Sequence, residues 1–150
     1  FRGRYDSLQA LIRKYDVGDI VCLKNEVVGA EKVRVLMDAD AFIQTSRFEG
    51  MPLGVLEALS YGLPCLLTEG TNLAGDVCRS NAGWTAQNFS QSIAGALRRF
   101  VGETDRLSHA GANARQLIVD TYSWQKVSAE AIRAYVDVIG SYSNDREIEA

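Results

Sequence analysis

Apolar positions recur along this chain in two rhythms. Between Tyr5 and Tyr15, the residues Leu8, Leu11, Ile12 and Tyr15 fall three or four apart, which predicts a helix with one apolar stripe. Ile20-Val21-Cys22-Leu23 is a continuous apolar run after Gly18-Asp19 and predicts a buried strand. The alternation continues with a short helix from Glu31 to Met37, a strand at Ala41-Phe42-Ile43-Gln44, and a helix opened by Pro52 that runs to about Tyr61. Proline suits a first helical position because the N–H it lacks would be unpaired there anyway. Gly62-Leu63-Pro64 then stops the helix. Cys65-Leu66-Leu67-Thr68 is the next strand, residues 69–81 read as loop with a short helical turn, and Gly83-Trp84-Thr85 reads as a fourth, short strand.

Beyond that point the pattern is helical. Ser92 to Val101 places Ile93, Ala96, Leu97 and Phe100 on one face. Asp105 to Tyr122 continues with Leu107, Ala110, Ala114, Leu117, Ile118 and Tyr122. Ser123 is placed to cap a last helix whose apolar face holds Trp124, Val127, Ala131, Ala134, Tyr135 and Val138. The segment from Ser141 is polar and reads as a frayed tail. Strands alternating with helices predict an α/β fold, a Rossmann-like parallel sheet with flanking helices. With no repeat and no linker, residues 1–150 read as a single domain. In such sheets ligands bind beyond the C-terminal ends of the strands. The loops at 23–30, 45–52 and 68–75 are therefore where a site is expected.

Composition narrows the field only a little. At 47% hydrophobic and 23% charged, the chain matches ordinary globular proteins and not disordered ones. A net charge of -3 gives no reason to expect a nucleic-acid partner. No apolar run approaches the roughly 18 residues of a membrane span, and the opening Phe1-Arg2-Gly3-Arg4 does not resemble a signal peptide. A cytoplasmic location is the expectation. Cys22, Cys65 and Cys78 are an odd set without a C-x-x-C pair. The expectation is free thiols, with Cys22 and Cys65 buried in strands.

The chemistry concentrates in Thr45-Ser46-Arg47-Phe48-Glu49-Gly50-Met51-Pro52-Leu53-Gly54-Val55-Leu56-Glu57-Ala58-Leu59. This is a strand end, a loop with a carboxylate and a glycine, then a helix start. The first turn of a helix leaves backbone N–H groups unpaired and carries partial positive charge, so it suits a diphosphate. With Pro52 first, the available donors lie on Leu53, Gly54 and their neighbours, and Gly54 lets a ligand approach the backbone. Glu49 precedes this tip, and Glu57 lies about 7.5 Å along the helix beyond Pro52. A carboxylate accepts two hydrogen bonds from a ribose. Acids on both sides of a phosphate site fit a ligand with hydroxyls at both ends, which describes a nucleotide sugar.

Ser46 through Pro64 resembles the E-x7-E segment of family 4 retaining glycosyltransferases, the glycosyl transferases group 1, whose usual form is P-S-x-x-E-G-x-x-x-x-x-x-E-A-x-x-x-G-x-P. Thr45 stands where proline is common. Asp38-Ala39-Asp40-Ala41-Phe42-Ile43 resembles the family's preceding strand, and Ser123-Trp124 its late Ser-Trp element. The likeness covers most of residues 3–140. It implies the donor-binding, C-terminal domain of a two-domain GT-B enzyme, N-terminally truncated here, with the acceptor-binding N-terminal domain missing. It implies transfer of a sugar from a UDP- or GDP-linked donor, without a metal cofactor, in bacterial-type polysaccharide or glycoconjugate synthesis. Glu49 is then the catalytic, sugar-contacting acid and Glu57 the ribose ligand. Ser46, Gly50 and the backbone from Met51 through Pro52 and Leu53 to Gly54 meet the sugar or diphosphate. The loop Lys24-Asn25-Glu26-Val27-Val28 lines the base, with Val27 and Val28 as contacts, although the family usually has Phe-Leu-Gly where Leu23-Lys24-Asn25 stands. The family's Arg/Lys clamp on the diphosphate is not matched after Gly3-Arg4 and would lie upstream of Phe1. These residues alone are therefore expected to bind nucleotide weakly or not at all, and not to turn over. Attachment to the inner face of the membrane would come through the missing domain. On the same numbering, Ile20 to Leu23 is a third strand and Ala41 to Gln44 a fourth. Two absent strands would then leave a gap, or the remaining strands would re-pair.

Other readings fit less well. Asp38-Ala39-Asp40 matches a D-x-D metal motif but precedes its strand instead of ending it. A receiver domain needs an acceptor Asp at a strand end, where this chain has Leu23, Gln44 and Thr68. A glycosidase pair would not enclose a phosphate site. His109 reads as a surface histidine. A GT-B-fold nucleotide-sugar epimerase and a non-catalytic nucleotide-binding module remain as alternatives to the transferase.

Overall fold

The computed structural model describes the backbone of residues 2–148 and the side chains of residues 4–140. It divides into two compact units, residues 1–35 and 36–150, with the boundary inside helix α2 (Gly29–Asp38).

The first unit opens with α1 (Arg2–Lys14). The helix stops at Asp16, which takes a left-handed conformation (φ 51°), and the Val17 N–H reaches back to the Ile12 carbonyl at 3.1 Å. That is the six-residue closure of a Schellman stop. The predicted strand at Ile20–Leu23 does not form. Ile20 and Val21 both donate to the Val17 carbonyl, at 3.2 and 2.9 Å, and Ile20 is 83% exposed. A lone apolar run has no ladder of its own; without a partner strand it closes local turn bonds instead. Cys22 is consequently exposed, contrary to expectation, although all three cysteines are free as predicted. The strand numbering built on this run falls with it, and among the described residues neither a gap between strands nor a re-paired sheet is found.

The second unit holds a three-stranded parallel sheet in the order β1 (Phe42–Gln44), β2 (Cys65–Thr68), β3 (Gly83–Ala86). Phe42 pairs with Cys65, and Cys65 in turn with Gly83. Among the described residues no strand flanks the outer edge of β1. The connections are α3 (Leu53–Ser60) and α4 (Ala74–Arg79), each carrying the chain back between parallel strands. All four residues of β2 are buried, as expected of a central strand covered on both faces. Cys65 and Leu67 face a core built with Val55, Ala58 and Leu59 of α3 and Leu73, Ala74 and Val77 around α4. Leu66 faces the other way, to Trp84, Ala86 and Ala96. Burial pushes the Cys65 thiol up to about 12, so it stays protonated and inert.

Helix α5 (Ser90–Gly102) covers this second face. The predicted helix from Asp105 to Tyr122 is segmented into a 3-10 turn (Thr104–Arg106), α6 (Leu107–Leu117) and a π turn (Ile118–Tyr122). His109 on α6 is exposed, as predicted. Gly111 of α6 crosses Gly62 just past the end of α3. A Cβ on Gly111 would lie 2.5 Å from the Gly62 carbonyl oxygen, and Gly62 itself is left-handed (φ 77°). Tyr122 donates to the Asp76 carboxylate, which also pairs with Arg79, tying the π turn to α4. Burial and the Asp76 carboxylate both push the Tyr122 phenol upward.

Helix α7 (Trp124–Ile148) comes last. Ser123 has the extended backbone of a cap residue, but its hydroxyl donates backward to the Val119 carbonyl at 2.9 Å. The apolar face predicted for α7 is present, yet Trp124 and Tyr135 are exposed at 85% and 70%. The helix continues through the segment whose composition suggests a frayed tail; side chains 141–150 lie outside the described residues. Among the described residues no helix is long and apolar enough to cross a membrane.

Candidate functional site

The three strands end together at Gln44, Thr68 and Ala86, so the loops after them gather at one edge of the sheet. The motif loop after β1 leads straight into α3. Pro52 sits one position earlier than predicted, as the cap residue (φ -78°, ψ 86°), and Leu53 opens the helix. The Pro52 carbonyl accepts from Val55 and Leu56 at 3.0 and 3.2 Å. The N–H groups of Leu53 and Gly54 lie ahead of that first intrahelical acceptor, and no side chain caps the end. This is the electrostatic arrangement that favours an anion.

Gly50, Met51, Leu53 and Gly54 are exposed around the tip, whereas Pro52 is buried. The glycines differ. A Cβ on Gly54 would sit 3.5 Å from Phe42 Cζ, an ordinary contact, and one on Gly50 would meet nothing within 4 Å. Neither glycine is required by the fold. Glu57 is half-buried on α3, about 6 Å along the axis from Leu53.

Glu49 is held firmly. Its N–H donates to the Gly70 carbonyl at 2.9 Å, and its own carbonyl accepts from the Asn72 N–H at 3.0 Å. Together these make an isolated parallel bridge between Glu49 and Thr71. The last regular rung of the sheet pairs Gln44 with Leu67. From that rung to the bridge the chain advances five residues on one side and four on the other, so Thr45–Phe48 carries one extra residue. Such a bulge throws a residue outward and re-aims the residues after it; Phe48 is 82% exposed. Ser46, expected to touch ligand, links the loop together. Its hydroxyl donates to Glu49 Oε1 at 3.2 Å and accepts from Gln44 Nε2 at 3.3 Å. Its carbonyl accepts from Thr68 Oγ1 at 2.6 Å and from Asn88 Nδ2 at 3.2 Å.

Five residues that the motif did not point to therefore shape the site: Thr68, Gly70, Thr71, Asn72 and Asn88. The strand-end rule marked the loop at 68–75 but not what it does. Thr71 is buried, and its hydroxyl has no hydrogen-bond partner. The predicted base-lining loop lies in the first unit. There Lys24, Asn25 and Glu26 line a cavity of about 640 Å³ with Arg4, Tyr5 and Leu8. Val27 is half-buried and Val28 exposed. Asp38 ends α2 and Asp40 precedes β1, at the opposite end of that strand from the motif loop.

The sequence profile of the family described as Glycosyl transferases group 1 matches residues 2–117. The chain belongs to that family. Within it, the putative colanic acid biosynthesis glycosyltransferase WcaL of Escherichia coli K12 is 27% identical over 131 residues, covering 82% of this chain and 32% of the relative. A UDP-Gal:alpha-D-GlcNAc-diphosphoundecaprenol alpha-1,3-galactosyltransferase of Escherichia coli is 32% identical over 109 residues, covering 70% of this chain and 27% of its own length. The chain thus spans about a third or less of the relatives it matches. Among solved structures, sucrose-phosphate synthase from Thermosynechococcus elongatus superimposes with a TM-score of 0.75 at 18% identity, over 93% of this chain and 35% of that one. TarM gives a TM-score of 0.72 at 20% identity, over 85% and 26%. These likenesses establish the fold of this group 1 chain as the Rossmann-like α/β arrangement of GT-B glycosyltransferases.

Proposed function

We propose that this chain is the donor-binding, C-terminal half of a retaining family 4 glycosyltransferase that moves a hexosyl group from a UDP- or GDP-linked donor to an acceptor in polysaccharide or glycoconjugate synthesis. The observation that carries the reading is the uncapped tip of α3 with Glu49 fixed before it and Glu57 one turn inside it. In this reading the Leu53 and Gly54 amides bind the diphosphate, Glu57 takes the ribose hydroxyls, and Glu49 orients the sugar. The departing diphosphate carries much of the chemistry, and the chain's part is to position it and offset its charge. The helix tip, with cationic side chains supplied from upstream, does this without a metal. Relatives named for galactosyl and α-(1→4)-mannosyl transfer agree with a hexosyl donor.

The roles separate on free nucleotide, which has a ribose and a diphosphate but no sugar. In the intact protein Glu57→Ala should weaken UDP or GDP binding by roughly ten- to a hundredfold, the loss of about 1.5–3 kcal/mol from hydrogen bonds to a charged acceptor. Glu49→Ala should leave free-nucleotide affinity in place and abolish most turnover. Calorimetry with UDP and GDP, beside nucleotide release from UDP-galactose, UDP-glucose and GDP-mannose, measures both. Equal losses of free-nucleotide affinity in the two variants would refute the assignment.

A further inference from the structure

The motif loop does not seat the Glu49 carboxylate by itself, because the loop's main chain is bonded to residues that follow β2 and to the end of that strand. Glu49 is paired through both its N–H and its carbonyl to the segment 70–72. The turn before it is pinned at the Ser46 carbonyl by the Thr68 hydroxyl, from a fully buried position at the end of β2. Gly70 lies so close to the turn that any Cβ there would overlap the Arg47 carbonyl. Ser46 then passes the constraint on, since its hydroxyl donates to Glu49 Oε1. The connection runs from the Thr68 hydroxyl, through the Ser46 main chain and side chain, to the carboxylate.

We propose that Thr68 and Gly70 are positioning residues for Glu49: the hydroxyl of one and the bare backbone of the other seat the bulged loop so that the carboxylate meets the donor sugar in one register. This rests on the reading of Glu49 as the acid that contacts the sugar. A valine at position 68 fills the same buried volume but cannot donate to Ser46, so the Ser46 carbonyl keeps only the longer, exposed contact from Asn88 while the core keeps its packing. An alanine at position 70 forces the Arg47 carbonyl away and moves Glu49 with it. Neither change touches the helix tip or Glu57, so binding of nucleotide without sugar should be spared.

The test uses the intact protein and four variants: Thr68→Val, Thr68→Ser, Gly70→Ala and Glu49→Ala. Turnover is followed as nucleotide release from UDP-galactose, UDP-glucose and GDP-mannose, and affinity by calorimetry with free UDP and GDP. Thr68→Val and Gly70→Ala are expected to lower kcat by about ten- to a hundredfold, the range for a misplacement near 1 Å. Free-nucleotide affinity should stay within about twofold of wild type. Thr68→Ser, which keeps the hydroxyl and loses the methyl, should recover most of the turnover. Thr68→Ser as impaired as Thr68→Val would assign the position to packing and overturn the proposal. So would wild-type kcat in Thr68→Val alongside an inactive Glu49→Ala. Full turnover in Glu49→Ala would instead overturn the reading of the site, and this inference with it. Thr68→Val is close to isosteric and so remains informative even if Gly70→Ala does not fold.

Discussion

The same substitution, glycine to alanine inside a helix, should move stability in opposite directions at two places in this chain. Helix propensity alone favours alanine over glycine by about 0.8–1.0 kcal/mol in a helix interior. At Gly95, inside α5, an added Cβ meets nothing within 4 Å, so Gly95→Ala should realise most of that gain. At Gly111 the Cβ would stand 2.5 Å from the Gly62 carbonyl oxygen, about 0.9 Å short of an ordinary 3.4 Å contact. The obstacle is backbone, and Gly62 is already committed to a left-handed turn, so no side-chain rotation relieves the clash. Overpacking of this kind costs about 1–3 kcal/mol. With a rigid obstacle near the upper end of that range, less the propensity gain, Gly111→Ala should lose roughly 2 kcal/mol. The two variants would then differ by about 3 kcal/mol, or roughly 6–12 °C in Tm at 2–4 °C per kcal/mol for a chain of this size. Thermal unfolding followed by circular dichroism measures this directly. If Gly111→Ala is as stable as Gly95→Ala, α6 does not cross the end of α3 as described.

The site and its surroundings lead to three further expected outcomes. Thr71→Val removes a buried hydroxyl that has no partner and should raise stability by up to about 1–3 kcal/mol in urea unfolding; a loss would mean that the hydroxyl is bonded after all. Gly50→Ala places a methyl in open space at the helix tip, so the fold should change by less than about 0.5 kcal/mol while donor binding weakens; unchanged binding of UDP-galactose and GDP-mannose would remove Gly50 from the site. The Glu103 carboxyl is held below its ordinary value of 4.5 chiefly by the hydrogen bond from Trp84 Nε1, opposed by desolvation and aided by Arg106. A lowered folded value stabilises the fold above the unfolded value, and that contribution disappears as pH falls through the folded one. The Tm gap between wild type and Trp84→Phe should therefore narrow as pH drops below about 4.5. A gap constant from pH 7 to pH 3 would refute the link.

The features legible in the sequence were those that neighbours in the chain determine. The strands at 42–44, 65–68 and 83–86 stand where the apolar runs placed them, because each has a partner in the ladder to satisfy it. The run at 20–23 has the same composition and none of that support, so pattern alone could not separate the cases. The helix tip was readable from Pro52 and its neighbours, to within one residue. The hold on Glu49 was not, since it depends on Thr68, Gly70 and Asn72 meeting a loop some twenty residues earlier. Likewise the apolar face of α7 was read correctly, but sequence periodicity does not say what a face packs against, and the face is largely exposed.

The extra residue between Gln44 and Glu49 makes the length of this loop matter more than its wording. Deleting any one residue from 45–48 would leave four steps on each strand between the Gln44–Leu67 rung and the Glu49–Thr71 bridge, so the ladder would run on without a bulge and the turn that brings Ser46 to the Thr68 hydroxyl would be lost. Substitutions at Arg47 or Phe48 leave that count intact. For anyone grafting loops between group 1 chains, the count is a frame: exchanges of equal length keep the bulge, and an exchange one residue longer or shorter changes it whatever residues it carries.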